Sequence, residues 1–335
     1  MRAVCVGASA GGVEALLSLL TELEPGFTGA VLVVLHSSRY SALPQIINRR
    51  SRLPAFFAVD GRPIRPGEVL VAPPDQHLLI NDHHVVLSRG PRQNNFRPAI
   101  DPLFKSAART FGPDAVGVVL SGALDDGSAG LVRIQQAGGM AIVQDPADAA
   151  VPEMPRNAMA AVKADYTLSA ADIGRKLNCI MSNGHRKGNR MNPAKISHKE
   201  REAQNGVVTD PAELPSGKIS TLTCPECGGT LWEHQEGRVL RFLCHIGHGY
   251  SADSLSAAQE QAVENGLWVA MRILKERGAF VERLIRVAQR SGERQTIRRY
   301  RAEESLLKQR IRVLRNLLVG GTPKQGPGSE KKLED

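Results

Sequence analysis

The stretch Ala3-Val4-Cys5-Val6-Gly7-Ala8-Ser9-Ala10-Gly11-Gly12 decides the fold of this chain. Ala3–Val6 reads as an apolar strand, and from Gly12 a helix follows with Leu16, Leu17, Leu19 and Leu20 on its apolar side. Small residues on both sides of Ser9 permit a sharp strand-to-helix turn that lifts the hydroxyl out at the helix N-terminus. Backbone N–H groups and the helix dipole favour negative charge there. A nucleophile and a nascent oxyanion fit such a place, and G-x-S-x-G matches the elbow on which acyl-transfer enzymes mount a serine. The same turn also suits a plain helix cap or a phosphate cradle. Against a dinucleotide site, Ser9 holds the place of the second glycine of G-x-G-x-x-G. No acidic residue follows a second strand at the required distance either.

Working outward, short β-rich runs alternate with helical patterns up to about residue 180. Strands are expected at Ala3–Val6, Ala30–Leu35, Glu68–Ala72, His84–Leu87, Ala115–Leu120 and Ala141–Val143. Helices are expected at Gly12–Leu20, Ala42–Arg50, Asp101–Thr110, Gly127–Gln136 and Glu153–Ala161. His77–Ile80 and Val85–Ser88 read as a hairpin. The alternation implies βαβ units: an α/β fold with a doubly wound, mainly parallel sheet. The full division expected is a catalytic-type domain at 1–180 and a basic flexible linker at 181–219. A zinc-ribbon-like Cys/His module at 220–251, a helical tail at 252–318 and a disordered end at 319–335 complete it.

Composition agrees with this frame. Of the 335 residues 42% are apolar and only 4% aromatic, which suits an aliphatic core between parallel strands and helices. No run approaches the roughly 18 apolar residues of a membrane span, and the N-terminus enters a strand with no signal-peptide pattern. Five cysteines, two of them in C-x-x-C, fit a reducing compartment and a metal site, so a cytoplasmic protein without membrane insertion is expected. Residues 1–180 carry 17 Lys and Arg against 16 Asp and Glu, whereas residues 181–335 carry 26 against 18. The basic excess therefore belongs to the linker and tail, where it reads as solvated helix faces rather than as a nucleic-acid site.

A serine nucleophile needs a base. In open α/β sheets active sites gather outside the carboxyl ends of the strands. Ser9 follows the first strand, His36 the second, and Asp126 the apolar run Val116–Leu120, so all three fall on one edge of the sheet. Each has a plainer reading: Ser9 as a cap, His36 as a strand-end histidine, and Asp125-Asp126-Gly127 as a turn before a helix. Together they suit a relay in which the imidazole takes the serine proton and the carboxylate fixes its tautomer.

Residues 1–178 resemble the catalytic domain of the chemotaxis-type (CheB-type) protein-glutamate methylesterases. The resemblance is carried by Gly7–Gly12, the strand ending in His36, Val71-Ala72-Pro73-Pro74-Asp75-Gln76-His77 and Arg97-Pro98-Ala99-Ile100-Asp101. Gly117–Gly127 and Ala137-Gly138-Gly139 complete it. It implies a Ser9–His36–Asp126 triad that hydrolyses glutamyl methyl esters on a receptor's cytoplasmic helices, releasing methanol without a cofactor. Deamidation of glutamines is a second activity found in the family. The resemblance also implies oxyanion donors at the Ala10 and Ala123 backbone amides. Arg97 and Asp101 are candidate substrate contacts, with a structural ion pair as the alternative. Three departures stand out: Ala10 and Ala123 replace the usual threonine and methionine, and Leu35 and Ser37 flank His36. The catalytic strand starts at once, so a stand-alone form without a phosphorylatable receiver domain, controlled from outside, is expected.

Cys224-Pro225-Glu226-Cys227-Gly228-Gly229 and Cys244-His245-Ile246-Gly247-His248 form two knuckles around the strand-like Arg238–Leu243. Cys224, Cys227, Cys244 and His248 would close a structural Cys₃His zinc site, with His245 the competing fourth ligand. Beyond it, two apolar stripes are expected. One comprises Leu255, Ala258, Ala262, Val269, Ile273, Phe280, Leu284 and Val287. The other comprises Ile297, Tyr300, Leu307, Ile311, Leu314 and Leu318. They serve helix packing or the docking of a regulatory protein. The alternative function is a catalytically lapsed interaction module that uses the ribbon and the basic helices.

Overall fold

The computed structural model describes residues 1–36, 41–182 and 217–319. Most of the expected linker, the expected disordered end beyond Val319 and Ser37 beside His36 lie outside these residues. Among the described residues no helix is long and apolar enough to cross a membrane.

The first part of the chain runs β1 (Ala3–Ala8), α1 (Gly12–Thr21), β2 (Ala30–Leu35), α2 (Leu43–Asn48), β3 (Ala55–Phe57) and β4 (Val69–Val71). A hairpin of β5 (His77–Asn81) and β6 (His84–Ser88) precedes α3 (Ile100–Phe111) and β7 (Ala115–Val119). Then come α4 (Ser128–Gln136), β8 (Met140–Gln144), α5 (Glu153–Ala161), β9 (Tyr166–Leu168) and α6 (Ala170–Ser182). Seven strands form one parallel sheet in the order β3-β4-β2-β1-β7-β8-β9. The three-residue strands β3 and β9, too short to show a period, and the helix α6 are additions to the sequence expectation.

Alternation within each strand feeds two cores. Ala3 and Cys5 of β1, with Leu32 and Val34 of β2, face Phe104 of α3, Leu131 of α4 and Met154 of α5. Val4 and Val6, with Val31 and Val33, face Leu16 and Leu20 of α1 and Ile173 and Leu177 of α6. Strands buried on both faces are what made their sequences read as unbroken apolar runs. The chain winds outward from β1 to β2 on one side and continues at β7 on the other. The loops after β1 and β7 therefore diverge at this switch point, the usual place for a ligand crevice.

The Cys/His module is a four-stranded antiparallel sheet of β10 (Lys218–Thr223), β11 (Thr230–Glu236), β12 (Val239–Cys244) and β13 (Gly249–Ser251), in that order. It belongs to the same compact unit as the parallel sheet, Met1–Ser256. Backbone bonds join Asn94 N–H to Gly249 O at 2.7 Å and Gly249 N–H to Arg92 O at 3.2 Å. A side chain at Gly249 would collide with Gln93, and one at Gly237 with Val132. Glu236, 5% exposed, takes hydrogen bonds from Lys105 and Arg133, both at 2.7 Å.

Residues Ala257–Asp335 make the second unit, whose described part is most of α7 (Ala252–Arg290) and all of α8 (Arg294–Val319), broken at Ser291-Gly292. Its core is Val281, Ile285 and Leu307, with Leu274 and Tyr300 packed against it. This corrects the first expected stripe, since Val269, Ile273, Phe280 and Val287 are exposed. The packed seam runs instead through Leu267, Met271, Leu274, Val281, Ile285 and Ala288, in steps of three, four and, between Leu274 and Val281, seven. Both stripes satisfy helical periodicity, and only the partner helix chooses between them. The second expected stripe supplies that partner through Tyr300 and Leu307.

Burial pushes the Glu236 carboxyl up, but the charges of Lys105 and Arg241 and the bonds from Lys105 and Arg133 hold it at about 2. The folded value lies below the unfolded one, so its stabilisation is present above about pH 4.5 and is lost as pH falls toward about 2. Glu236→Gln is expected to lower unfolding stability at pH 7 by roughly 3 kcal/mol. In denaturant titrations at decreasing pH, the gap between wild type and variant should close across that window.

Candidate active site

The elbow after β1 is built by close packing. Ser9 N–H donates to Ser121 O at 2.9 Å, tying the end of β1 to the loop after β7, and Gly12 N–H donates to Ser9 O at 2.9 Å. Gly11 caps α1 in the left-handed region at φ 70°, and a Cβ there would lie 2.7 Å from that of Ala150. Gly122 is equally constrained, because its Cβ would fall 2.8 Å from Ser9 Cβ. These glycines let the two loops close on Ser9. Among the described residues, neither the Ala10 nor the Ala123 amide donates to a protein acceptor. Ala10 follows the serine along the chain, and Ala123 follows Gly122, which packs against Ser9.

His36 leaves the end of β2, its N–H bonded to Ala8 O at 3.1 Å. Its Nδ1 lies 3.1 Å from Ser9 Oγ, and its Nε2 lies 2.8 Å from Asp126 Oδ2. The carboxylate fixes the proton on Nε2, leaving Nδ1 as the acceptor for the serine. The ring stacks on Phe96, with centroids 3.6 Å apart and planes 9° from parallel. Packing and hydrogen bonding thus hold one orientation of the imidazole.

Asp126 is 1% exposed and accepts four hydrogen bonds. Oδ2 takes His36 Nε2 and the Ile100 amide at 2.6 Å, while Oδ1 takes Asn94 Nδ2 at 2.8 Å and the Asp101 amide at 3.1 Å. Burial pushes its pKa up, but His36, the Ile100 amide and Asn94 together outweigh burial and hold the group below the usual carboxylate range. Asp126 therefore caps α3, not the helix α4 that it precedes, which the plainer reading of Asp125-Asp126-Gly127 had assumed.

Asp101 is not placed as a substrate contact but takes the structural alternative, a buried ion pair with Arg241. It is 1% exposed, with Oδ1 bonded to the amides of Gly127 and Gly130 at 3.1 and 2.7 Å. Oδ2 takes Asn94 Nδ2 at 2.9 Å and Arg241 at 3.0 Å. Every lone pair is engaged inside the protein, so Asp101 has none to offer a substrate. Arg97 turns Nε and one terminal nitrogen to Asp75, at 3.0 and 2.7 Å, and the other to the carbonyls of Arg89 and Gly90. Its geometry is the structural ion pair, not a free guanidinium.

Asn94 and Phe96 escaped the sequence reading. Asn94 and Asn95 have positive φ, 52° and 71°, and tandem asparagines are a legible turn signal. Nothing local says that Asn94 bridges two carboxylates or that Phe96 stacks on a histidine sixty positions earlier.

The four ligand atoms of Cys224, Cys227, Cys244 and His248 lie within 4.8 Å of one another. His248 Nδ1 is 3.7 Å from Cys224 Sγ and 3.5 Å from Cys244 Sγ, and the sulfurs of Cys227 and Cys244 are 3.6 Å apart. His245 is not in this group, and its Nδ1 is buried without a partner. Gly228 and Gly247, at φ 71° and 99°, turn the two knuckles. Burial opposes ionisation of Cys224, but bonds from the Tyr250 hydroxyl and the Cys227 and Glu226 amides pull its pKa down.

A serine on a strand-to-helix elbow, a histidine and a buried carboxylate, bonded in series over one edge of a doubly wound sheet, have the form of the Ser–His–Asp constellation of acyl-transfer enzymes. Comparison with known proteins gives the family: the model described as CheB methylesterase matches residues 4–177, and the chain belongs to that family. A Rhizobium johnstonii protein named protein-glutamate methylesterase/protein-glutamine glutaminase 2 is 37% identical over 52% of this chain and 49% of its own length. Protein-glutamate methylesterase/protein-glutamine glutaminase 3 of Pseudomonas aeruginosa is 38% identical over 52% of this chain and 53% of its own. The chain thus spans about half the length of these relatives. The crystal structure of the Thermotoga maritima CheB methylesterase catalytic domain matches with a TM-score of 0.52 and 30% identity, over 53% of this chain and 98% of that one.

Asn94→Ala would remove the amide that separates the Asp101 and Asp126 carboxylates and leave buried acceptors unpaired. The expected loss is about 3 kcal/mol of unfolding stability, read by denaturant titration.

Proposed function

We propose that this chain is a serine protein-glutamate methylesterase whose nucleophile is Ser9, base His36 and orienting carboxylate Asp126. The observation that carries the reading is the relay itself, at 3.1 and 2.8 Å, ending on a carboxylate held ionised by four donors. In the mechanism, His36 Nδ1 takes the Ser9 proton as Oγ attacks the glutamyl ester carbon. Asp126 balances the imidazolium through Nε2–H. The Ala10 and Ala123 amides receive the oxyanion, each such donor contributing about 3 kcal/mol. The proton on Nδ1 passes to the departing methoxy oxygen, which leaves as methanol. Water, deprotonated by the same nitrogen, then releases Ser9 and a glutamate. With a glutamine side chain, ammonia would leave instead. The names of the relatives support both reactions and a protein substrate, and the family resemblance of residues 1–178 points to a receptor-like one. Five unpaired cysteines support a cytoplasmic setting. The exposed Trp268, Val269, Ile273 and Phe280 of α7 support a docking role for the tail.

The test is methanol release from methylated receptor fragments. Ser9→Ala and His36→Ala are each expected to lose at least a thousandfold in rate, and Asp126→Asn about ten-thousandfold. Activity retained in Ser9→Ala would sink the assignment.

We further infer that Cys224, Cys227, Cys244 and Nδ1 of His248 hold a structural zinc. Glu226, 3.0 Å from Nε2 of His248, would orient that ring from behind. The ligand separations and the thiolate-favouring surroundings of Cys224 suit a closed tetrahedral site, which supplies folding energy rather than catalysis. Elemental analysis of protein purified without chelator should find one zinc per chain, and Cys227→Ser should lose it. A zinc-free wild type would remove the claim.

A further inference from the structure

Asp101 and Asp126 are two carboxylates in one buried pocket, each 1% exposed and both bonded to the same Asn94 amide nitrogen, at 2.9 and 2.8 Å. Two anions so placed repel, and without a nearby cation one of them takes up a proton. The cation comes from the Cys/His module. Arg241 of β12, 4% exposed, donates through one nitrogen to Asp101 Oδ2 at 3.0 Å and Asn94 Oδ1 at 2.7 Å. That second bond fixes which way Asn94 faces, so that its NH₂ must point at the carboxylates.

We propose that Arg241 is a positioning residue for the catalytic triad, supplied by the Cys/His module: its charge and its grip on Asn94 keep Asp126 ionised and aimed at His36. The proposal rests on the Ser9–His36–Asp126 reading above. It makes the module part of the esterase machinery, although Arg241 reaches the triad only through Asn94 and Asp101.

The neighbouring charges leave this task to Arg241. Lys105 and Arg133 are both committed to Glu236. Asp125, bonded to Ser251 Oγ, adds a further acid beside the pocket, and burial pushes it up to about 6. Asp253 adds another negative charge near Asp125. His77 is buried between the Ala99 amide and Pro91 O, and burial lowers its pKa, so it stays neutral. Burial pushes Asp101 up, with Arg241 the strongest opposing influence, while Asp126 adds to the rise.

The test compares wild type, Arg241→Gln, Arg241→Lys and the double variant Asp101→Asn/Arg241→Gln. The second-order rate of labelling of Ser9 by a fluorophosphonate is measured as a function of pH. This probe reads the nucleophile whatever the natural substrate is. Zinc content and circular dichroism check the fold of each variant. In Arg241→Gln the labelling rate near pH 7 should fall at least tenfold, and the acidic limb of the profile should move up by about one pH unit. Arg241→Lys should keep the limb where the wild type has it. The double variant, with one anion fewer, should return the limb toward the wild-type position even if the single variant fails to fold.

A folded Arg241→Gln with the limb unmoved would overturn the proposal, as would a double variant whose limb is displaced. Wild type that is labelled but releases no methanol would overturn the substrate reading alone. Wild type that resists labelling would overturn the triad, and the role of Arg241 with it.

Discussion

The structure hangs on a reciprocal exchange between two helices and two carboxylates. Asp126, just before α4, accepts the amides of Ile100 and Asp101 at the start of α3. Asp101, in the first turn of α3, accepts the amides of Gly127 and Gly130 at the start of α4. Neither helix has a side-chain cap of its own, so each depends on an acid from the other. The positive ends of both helix dipoles converge on the pair and add to the charge of Arg241 in offsetting two buried acids. The carboxylate that orients His36 is therefore also the one that fixes where α3 begins. Stability and alignment of the relay share the same four hydrogen bonds.

From that centre, order spreads in two directions. Toward the solvent it passes through His36 to Ser9, with Phe96 confining the ring and the glycines of both loops confining the elbow. Toward the interior it passes through Asn94 to Arg241, Ser251 and Ser254, all from the Cys/His module or the turn of helix that follows it. A small antiparallel sheet that could look like an appendage is thus wired to the back of the active site. Its Cys/His knuckles bracket strands β11 and β12, and β12 carries the guanidinium that balances the carboxylates.

The glycine-flanked serine, the apolar strands and the hairpin were legible because each is a local pattern with a period or a turn chemistry. The hairpin turn illustrates it: Asp82 and His83 both take positive φ, 46° and 61°, as a tight connection requires. The same logic places both Cys/His knuckles, and Gly247 favours His248 over His245 from the sequence alone. Where local pattern admitted two answers, it misled. Along α7 the sequence offers two neighbouring apolar stripes, and the one that meets Tyr300 and Leu307 is not the one its periodicity favours. Asp101 likewise carried the marks of a site residue, being acidic and next to the active edge, yet its oxygens all point inward.

By itself, the sequence determined most of the longer elements, their order, and the strand ends that carry Ser9, His36 and Asp126. Those follow from steric and hydrophobic preferences between residues close along the chain. Only the tertiary structure decided which imidazole nitrogen meets the serine, that Asn94 separates two carboxylates, and that Arg241 lies against Asp101 from 140 residues away. Such contacts depend on distances through space between buried polar groups. Their strength comes from the exclusion of water, a property of the assembled core that no local window of sequence contains.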